Sequence, residues 1–202
     1  LIRITREKLK EGYKMNVSFQ GVEKQAEDFL NTLKCRVQKP YPQTKLTFKD
    51  VQLAEKLLSA FADGGNSELS ALTQYFIHSQ TIDNEEVKNL LYCVSMNEMY
   101  HLEVLSEMIT SLGGEPRYWG ANHAYWTGGY VEYGTNASDK LSADIFSEQE
   151  AIAGYEALLR DIKKANNPNY GPVEAVINRI IEDENYHITL FSEAYASLPA
   201  GT

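Results

Sequence analysis

Along most of this chain apolar residues recur every three to four positions, the spacing that lays one stripe along one side of an α-helix. Val51, Leu53, Ala54, Leu57, Leu58 and Phe61 form the first clear stripe, and Thr47 followed three residues on by Asp50 reads as its start. Asp63-Gly64-Gly65-Asn66 interrupts it. Ser67 then suits the cap of a second helix, with Glu68 in its first turn and Leu69, Leu72, Thr73, Phe76 and Ile77 at helical spacing to about Gln80. Asp83 with Glu86 makes another capping start, and the pattern runs on to Leu112, where Gly113-Gly114 ends it. From Gly113 to Lys140 the periodicity collapses into glycines and aromatics. Helix resumes from about Leu141 to Lys164, breaks at Asn166-Asn167-Pro168-Asn169-Tyr170-Gly171, and restarts with Pro172 at a first-turn position before Leu198-Pro199 closes it. No strand pattern competes, so the predicted class is all-α, with four bundle helices joined by a short, a long and a short connection.

Residues 1–46 are mixed in charge, with one plausible helix around Val22 to Leu33 and a stop at Lys39-Pro40-Tyr41-Pro42. They read as an N-terminal arm laid on a bundle domain spanning 47–198. At 202 residues and 43% hydrophobic content the chain can bury a real core. A net charge of −9 without a basic stripe argues against a nucleic-acid partner. No run approaches the roughly 20 apolar residues of a membrane span, and the basic N-terminal residues lack the apolar core of a secretion signal. Cys35 and Cys93 are far apart and form no Cys-x-x-Cys, which supports reduced thiols and a cytoplasmic setting rather than a disulfide or a cysteine metal site.

The chemistry lies in Asn97-Glu98-Met99-Tyr100-His101 and its echo Glu184-Asn185-Tyr186-His187. Residues three apart share a helix face, so each Glu-x-x-His offers a carboxylate and an imidazole to one point. Glu68 stands about fifteen residues before the turn near Asp83 and Glu98 about fifteen after it, which brings them level in an antiparallel hairpin. In the second hairpin Glu148 and Glu184 match to about one helical turn. Each half therefore repeats one pattern, a Glu and then Glu-x-x-His, the ligand set of di-metal carboxylate bundles. Four carboxylates in one apolar core would repel one another and be costly to desolvate, and two divalent cations would neutralise them. Glu148 and Glu150 stand about 200° apart on their helix, so one alone can face the site. Tyr155 lies seven residues after Glu148 as Tyr75 does after Glu68, and this shared phase favours Glu148. His78 is too far along its helix from Glu68 to share the site, and His123 falls in the crossover.

These residues also carry a resemblance. Ser67-Glu68-Leu69-Ser70-Ala71, Leu112-Gly113-Gly114-Glu115-Pro116-Arg117-Tyr118 and the stretch from Ala143-Asp144-Ile145 through Glu148 to Ala151-Ile152 resemble the ferritin-like superfamily. Within it the chain is most similar to the manganese-catalase and spore-coat catalase-like branch, with rubrerythrin-type domains more distant. The resemblance implies a ferritin-like four-helix bundle and a pair of metal ions, manganese or iron. It implies Glu68, Glu98, His101, Glu148 and His187 as ligands. Glu184 is a sixth ligand or, as in catalase-like relatives, a proton relay.

Such a pair acts on hydrogen peroxide or dioxygen. Peroxide disproportionation needs no outside electron donor, and the chain has no cysteine cluster for the iron–sulfur module that a rubrerythrin-like peroxidase draws on. The leading expectation is a catalase-like oxidoreductase of the cytoplasm. The alternatives are a non-catalytic metal-binding coat or storage protein, which could sit in a spore coat, and the rubrerythrin-like peroxidase. The crossover holds Trp119, Trp126 and Tyr118, Tyr125, Tyr130 and Tyr133 with no helical face to bury them, so it is expected to meet another copy of the chain and to narrow the approach to the metals.

Overall fold

The computed structural model describes residues 28–199. Half of the predicted helix around Val22 to Leu33 falls outside them, and of the rest residues 28–30 are helical. Residues 33–199 form the compact unit that carries the site. Five α-helices build it: α1 (Val51–Ala62), α2 (Glu68–Gln80), α3 (Glu85–Leu112), α4 (Ala137–Lys164) and α5 (Tyr170–Ser197). No strand occurs among the described residues, so the class is all-α and the architecture is the ferritin-like bundle.

Helix α3 has 28 residues, and α1 and α2, with 12 and 13, lie beside it in turn. At about 1.5 Å per residue the two short helices together span what α3 spans alone. The break between them falls immediately before Glu68, where the Ser67 and Ser70 hydroxyls both donate to the Gly64 carbonyl, at 3.1 and 2.6 Å. Helices α4 and α5, each of 28 residues, pair as the second hairpin. Leu57, Leu105, Met108, Ile109, Leu112, Val173, Val176, Ile177 and Ile180 are fully buried at one end of the bundle, where α1 closes it. Burying such side chains contributes about 1.5 to 3 kcal/mol each and holds the helices in register.

Local chemistry sets the ends. Asp50 caps α1 by accepting from Leu53 N at 3.0 Å, one turn later than the Thr47 start that the sequence suggested. Asn84, rather than Asp83, caps α3 through Glu86 N and Val87 N. Asn136 caps α4, whose first residue Ala137 is four residues ahead of the predicted start, and Pro172 sits third in α5 rather than first. Gly113 ends α3 with φ 91°, a left-handed conformation that glycine adopts without strain. A Cβ on Gly114 would stand 2.5 Å from that of Ala54, so the small residue lets α1 close onto the end of α3.

The expectation of free thiols is overturned: Cys35 and Cys93 form a disulfide that ties residues 33–46 to α3. The two cysteines are 58 residues apart in sequence and meet only in the folded chain, so their spacing gave no sign of it. A loop of that length stabilises the fold by about 4 kcal/mol in the chain-entropy picture.

Candidate metal centre

Glu68 enters from the first turn of α2, Glu98 and His101 from the middle of α3, Glu148 from α4, and Glu184 and His187 from α5. All six are buried, with exposures of 0–3%. Glu150 is exposed, so α4 turns Glu148 inward. Two groups of converging ligand atoms result, one of Glu68, Glu98, His101 and Glu184, the other of Glu98, Glu148, Glu184 and His187. Within each group the atoms lie within 4.8 Å of one another.

Glu98 and Glu184 belong to both groups, and each divides its two oxygens between the histidines. Glu98 Oε2 is 2.9 Å from His101 Nδ1 and Oε1 is 2.9 Å from His187 Nδ1. Glu184 Oε1 is 3.1 Å from His101 Nδ1 and Oε2 is 3.0 Å from His187 Nδ1. Glu68 Oε2 completes the His101 side at 3.5 Å and Glu148 Oε1 the His187 side at 3.2 Å. Each Nδ1 thus faces three carboxylates with at most one proton to give. Glu98 Oε1 and Glu184 Oε2 are buried without a hydrogen bond of their own. Hydrogen bonding leaves this donor set unsatisfied, whereas two cations would satisfy it, so the residues fit a pair of metal ions.

The electrostatics agree. Burial pushes the Glu148 carboxyl well above its usual range, and the nearby charges of Glu184 and Glu98 push it further. Burial alone would lower both histidines, but the Tyr41 phenol and the carboxylates of Glu184, Glu98 and Glu68 raise His101 well above its usual value. Glu98 and Glu148 do the same for His187.

Residues that the spacing arguments did not single out surround the six. Asp183 Oδ2 lies 3.4 Å from His101 Nε2 and accepts from the Tyr41 hydroxyl at 2.7 Å. Asp183 Oδ1 accepts from Val37 N and pairs with Arg179 Nη1, both at 2.7 Å. Asn97 Nδ2 sits among Asp183 Oδ2 and the Nε2 atoms of His101 and His187, at 3.3, 3.1 and 3.3 Å. A usable signal was present: Asn97 and Asp183 each precede the Glu of a Glu-x-x-His, four residues before the histidine and hence on its face. Tyr155 donates to Glu68, while the Tyr75 hydroxyl is buried without a partner.

His78 lies outside the centre. It is fully buried, with Nδ1 2.9 Å from Asp144 Oδ1 and Nε2 2.6 Å from the Glu132 carbonyl. Gln74 accepts from Glu132 N, and Trp126 Nε1 donates to Ser70, so these bonds fasten the crossover to α2. His123, exposed and with φ 60°, stacks on Trp119 at 4.6 Å.

Comparison with known proteins agrees with this fold. The family model for manganese containing catalase matches residues 38–124. A probable manganese catalase of Clostridium acetobutylicum is 26% identical over 192 residues, covering 85% of this chain and 78% of that protein. A bacterioferritin of Streptomyces coelicolor is 31% identical over 131 residues, covering 60% of this chain and 69% of the relative. The crystal structure of KatB, a manganese catalase from Anabaena, superposes with a TM-score of 0.70 at 23% identity, over 80% of this chain and 79% of that one. The chain belongs to the ferritin-like superfamily, and its residues 38–124 are similar to manganese-containing catalases.

Proposed function

We propose that this protein is a dimanganese catalase that disproportionates hydrogen peroxide. The observation that carries the reading is the division of Glu98 and Glu184, each sending one oxygen to the His101 side and one to the His187 side. Glu68, Glu98, His101 and Glu184 would hold one ion, and Glu98, Glu148, Glu184 and His187 the other. When bound, a manganese pair supplies cycling between the divalent and trivalent states, oxidised by one peroxide and reduced by the next, so no outside donor is required.

The chain's own residues prepare that site. The helices fix the carboxylates before any metal arrives, and their burial excludes bulk water. Glu184, whose two oxygens face the two imidazoles, would serve as a ligand or instead take a proton from peroxide and return it. The similarity to manganese catalases favours manganese over iron. No helix of the described residues is long and apolar enough to cross a membrane. The protein would act in the cytoplasm or at a spore coat, and the bonded cysteine pair favours a setting at least partly oxidising.

Oxygen evolution from peroxide by manganese-loaded protein, with no donor added, tests the reading. Protein that holds two manganese ions per chain and releases no oxygen overturns it. The similarity to bacterioferritin favours a second reading, a metal-storage protein, which would accumulate many iron atoms per chain rather than two. Peroxide consumption only in the presence of an added electron donor would instead point to the rubrerythrin-like peroxidase.

A further inference from the structure

We propose that Asp183 is a positioning residue for the His101 half of the centre, and that residues 33–41 hold Asp183 in place. An imidazole can keep Nδ1 aimed at a metal only if its ring is fixed, and the usual means is an acceptor behind the other nitrogen. His101 has such an acceptor in Asp183 Oδ2 at 3.4 Å. The side-chain amide of Asn97 lies behind both rings, 3.1 Å from His101 Nε2 and 3.3 Å from His187 Nε2, and behind His187 no carboxylate joins it. The two halves of the centre thus differ in what stands behind their histidines.

Asp183 is itself held from two directions. Its Oδ1 takes Val37 N and Arg179, and its Oδ2 takes Tyr41 and Asn97. Arg179 Nη2 in turn donates to the carbonyls of Val37 and Lys39, at 2.6 and 3.2 Å, and its guanidinium lies 4.4 Å from the Tyr41 ring centre. The segment is anchored two residues before Val37 by the Cys35–Cys93 disulfide. A fully buried carboxylate with this many donors is rigid, and it lends that rigidity to the ring it faces. Residues 33–41 therefore do more than cover the bundle: their backbone and one phenol complete a chain of contacts that ends on a metal-binding histidine.

The proposal rests on the di-metal reading, and one experiment separates the two. Manganese content and affinity, by elemental analysis and chelator competition, are measured for wild type, Asp183→Asn and Tyr41→Phe, and for Asp183→Asn combined with His101→Ala or His187→Ala. Asp183→Asn is expected to weaken one of the two ions by about tenfold to a hundredfold and to leave the other within a few-fold. Tyr41→Phe, which leaves Oδ1 and Arg179 alone, should weaken the same ion less. In the His101→Ala background Asp183→Asn should add nothing, because its target is gone, and in the His187→Ala background it should remove the remaining ion. Unchanged affinity at both ions, or equal loss of both, overturns the positioning role. Should Asp183→Asn fail to fold, Tyr41→Phe decides alone by the same criterion. Wild-type protein that binds no metal pair overturns the di-metal reading and this proposal with it.

Discussion

Tyr155 donates its phenolic hydrogen to Glu68 Oε1 across the bundle, from α4 to α2. Tyr75, which holds the equivalent place in the first half, has its hydroxyl fully buried with no partner, and its ring lies edge-on to Phe191 at 5.3 Å. The two phenylalanine variants should then act in opposite directions on metal-free protein. Tyr155→Phe removes a bond to a carboxylate and should destabilise by about 1.5 to 3 kcal/mol. Tyr75→Phe relieves an unsatisfied hydroxyl and should be neutral or stabilising. Urea unfolding of both variants checks the pair, and equal losses would mean that the Tyr75 hydroxyl has a partner in solution.

Substituting the proposed ligands should separate inward from outward residues. His101→Ala and His187→Ala should each lower the manganese content and abolish donor-free oxygen release, because each strips a nitrogen from carboxylates that stay buried. Glu148→Ala should do likewise, whereas the exposed Glu150→Ala should change activity less than about twofold. Elemental analysis beside an oxygen electrode reads both quantities. Metal removal from wild type should lower its melting temperature, since an ion bound only by the folded chain stabilises it by mass action.

The histidines set the pH behaviour of the metal-free protein. Their folded values are raised well above the ordinary 6.5 by the surrounding carboxylates, against the opposing effect of burial. A raised folded value means stability that is complete below about pH 6.5 and is lost as pH climbs through the folded values. Glu148, also raised, adds in the same direction above its own unfolded value. Asp183 works the other way: burial would raise it, but its bonds to His101, Arg179 and Tyr41 hold it well below the usual carboxylate range, so its contribution fades in acid. Chelator-stripped protein should therefore melt at lower temperature at about pH 8.5 than at about pH 6.5, a window that runs upward from the ordinary histidine value of about 6.5. Manganese-loaded protein should gain more from its metal at the higher pH, because the imidazoles must lose their protons to bind. Melting curves that move together in both forms would contradict the argument.

The crossover tyrosines point to self-association. Trp126 is turned inward onto Ser70, but Tyr118, Tyr125 and Met99 stay more than half exposed around a groove also lined by Phe61, Leu72 and Leu102. Wild type should sediment as a homo-oligomer, and replacing Tyr118 and Tyr125 together by serine should shift the mass toward the monomer. A wild-type monomer, or an unchanged oligomer in the variant, would rule the contact out.

What the sequence disclosed depended on distance along the chain. Helix periodicity, the break at 63–66 and the level heights of Glu68, Glu98, Glu148 and Glu184 follow from a fixed rise per residue, and the side chains they singled out do come together. The start of α1 was misplaced because Thr47 and Asp50 are both acceptable caps, and burial of Leu53 and Ala54 decides between them. Asp183 and Asn97 were passed over because an acid or amide on a helix is ordinarily a solvated residue, and here only the packing of Tyr41 and Arg179 makes it otherwise. The Cys35–Cys93 bond joins segments whose approach is set by that same packing.

The repeated pattern of Glu followed by Glu-x-x-His has an implication for ancestry. One hairpin carries half of the ligand set, so two identical hairpins pairing about a two-fold axis could have assembled a whole site before any crossover joined them. Such a pair must place the same residue behind each histidine and give each tyrosine the same partner. In a single chain that obligation lapses. Asn97 against Asp183, and Tyr75 against Tyr155, are differences that no symmetric dimer could hold and that a single chain joined through 113–136 can.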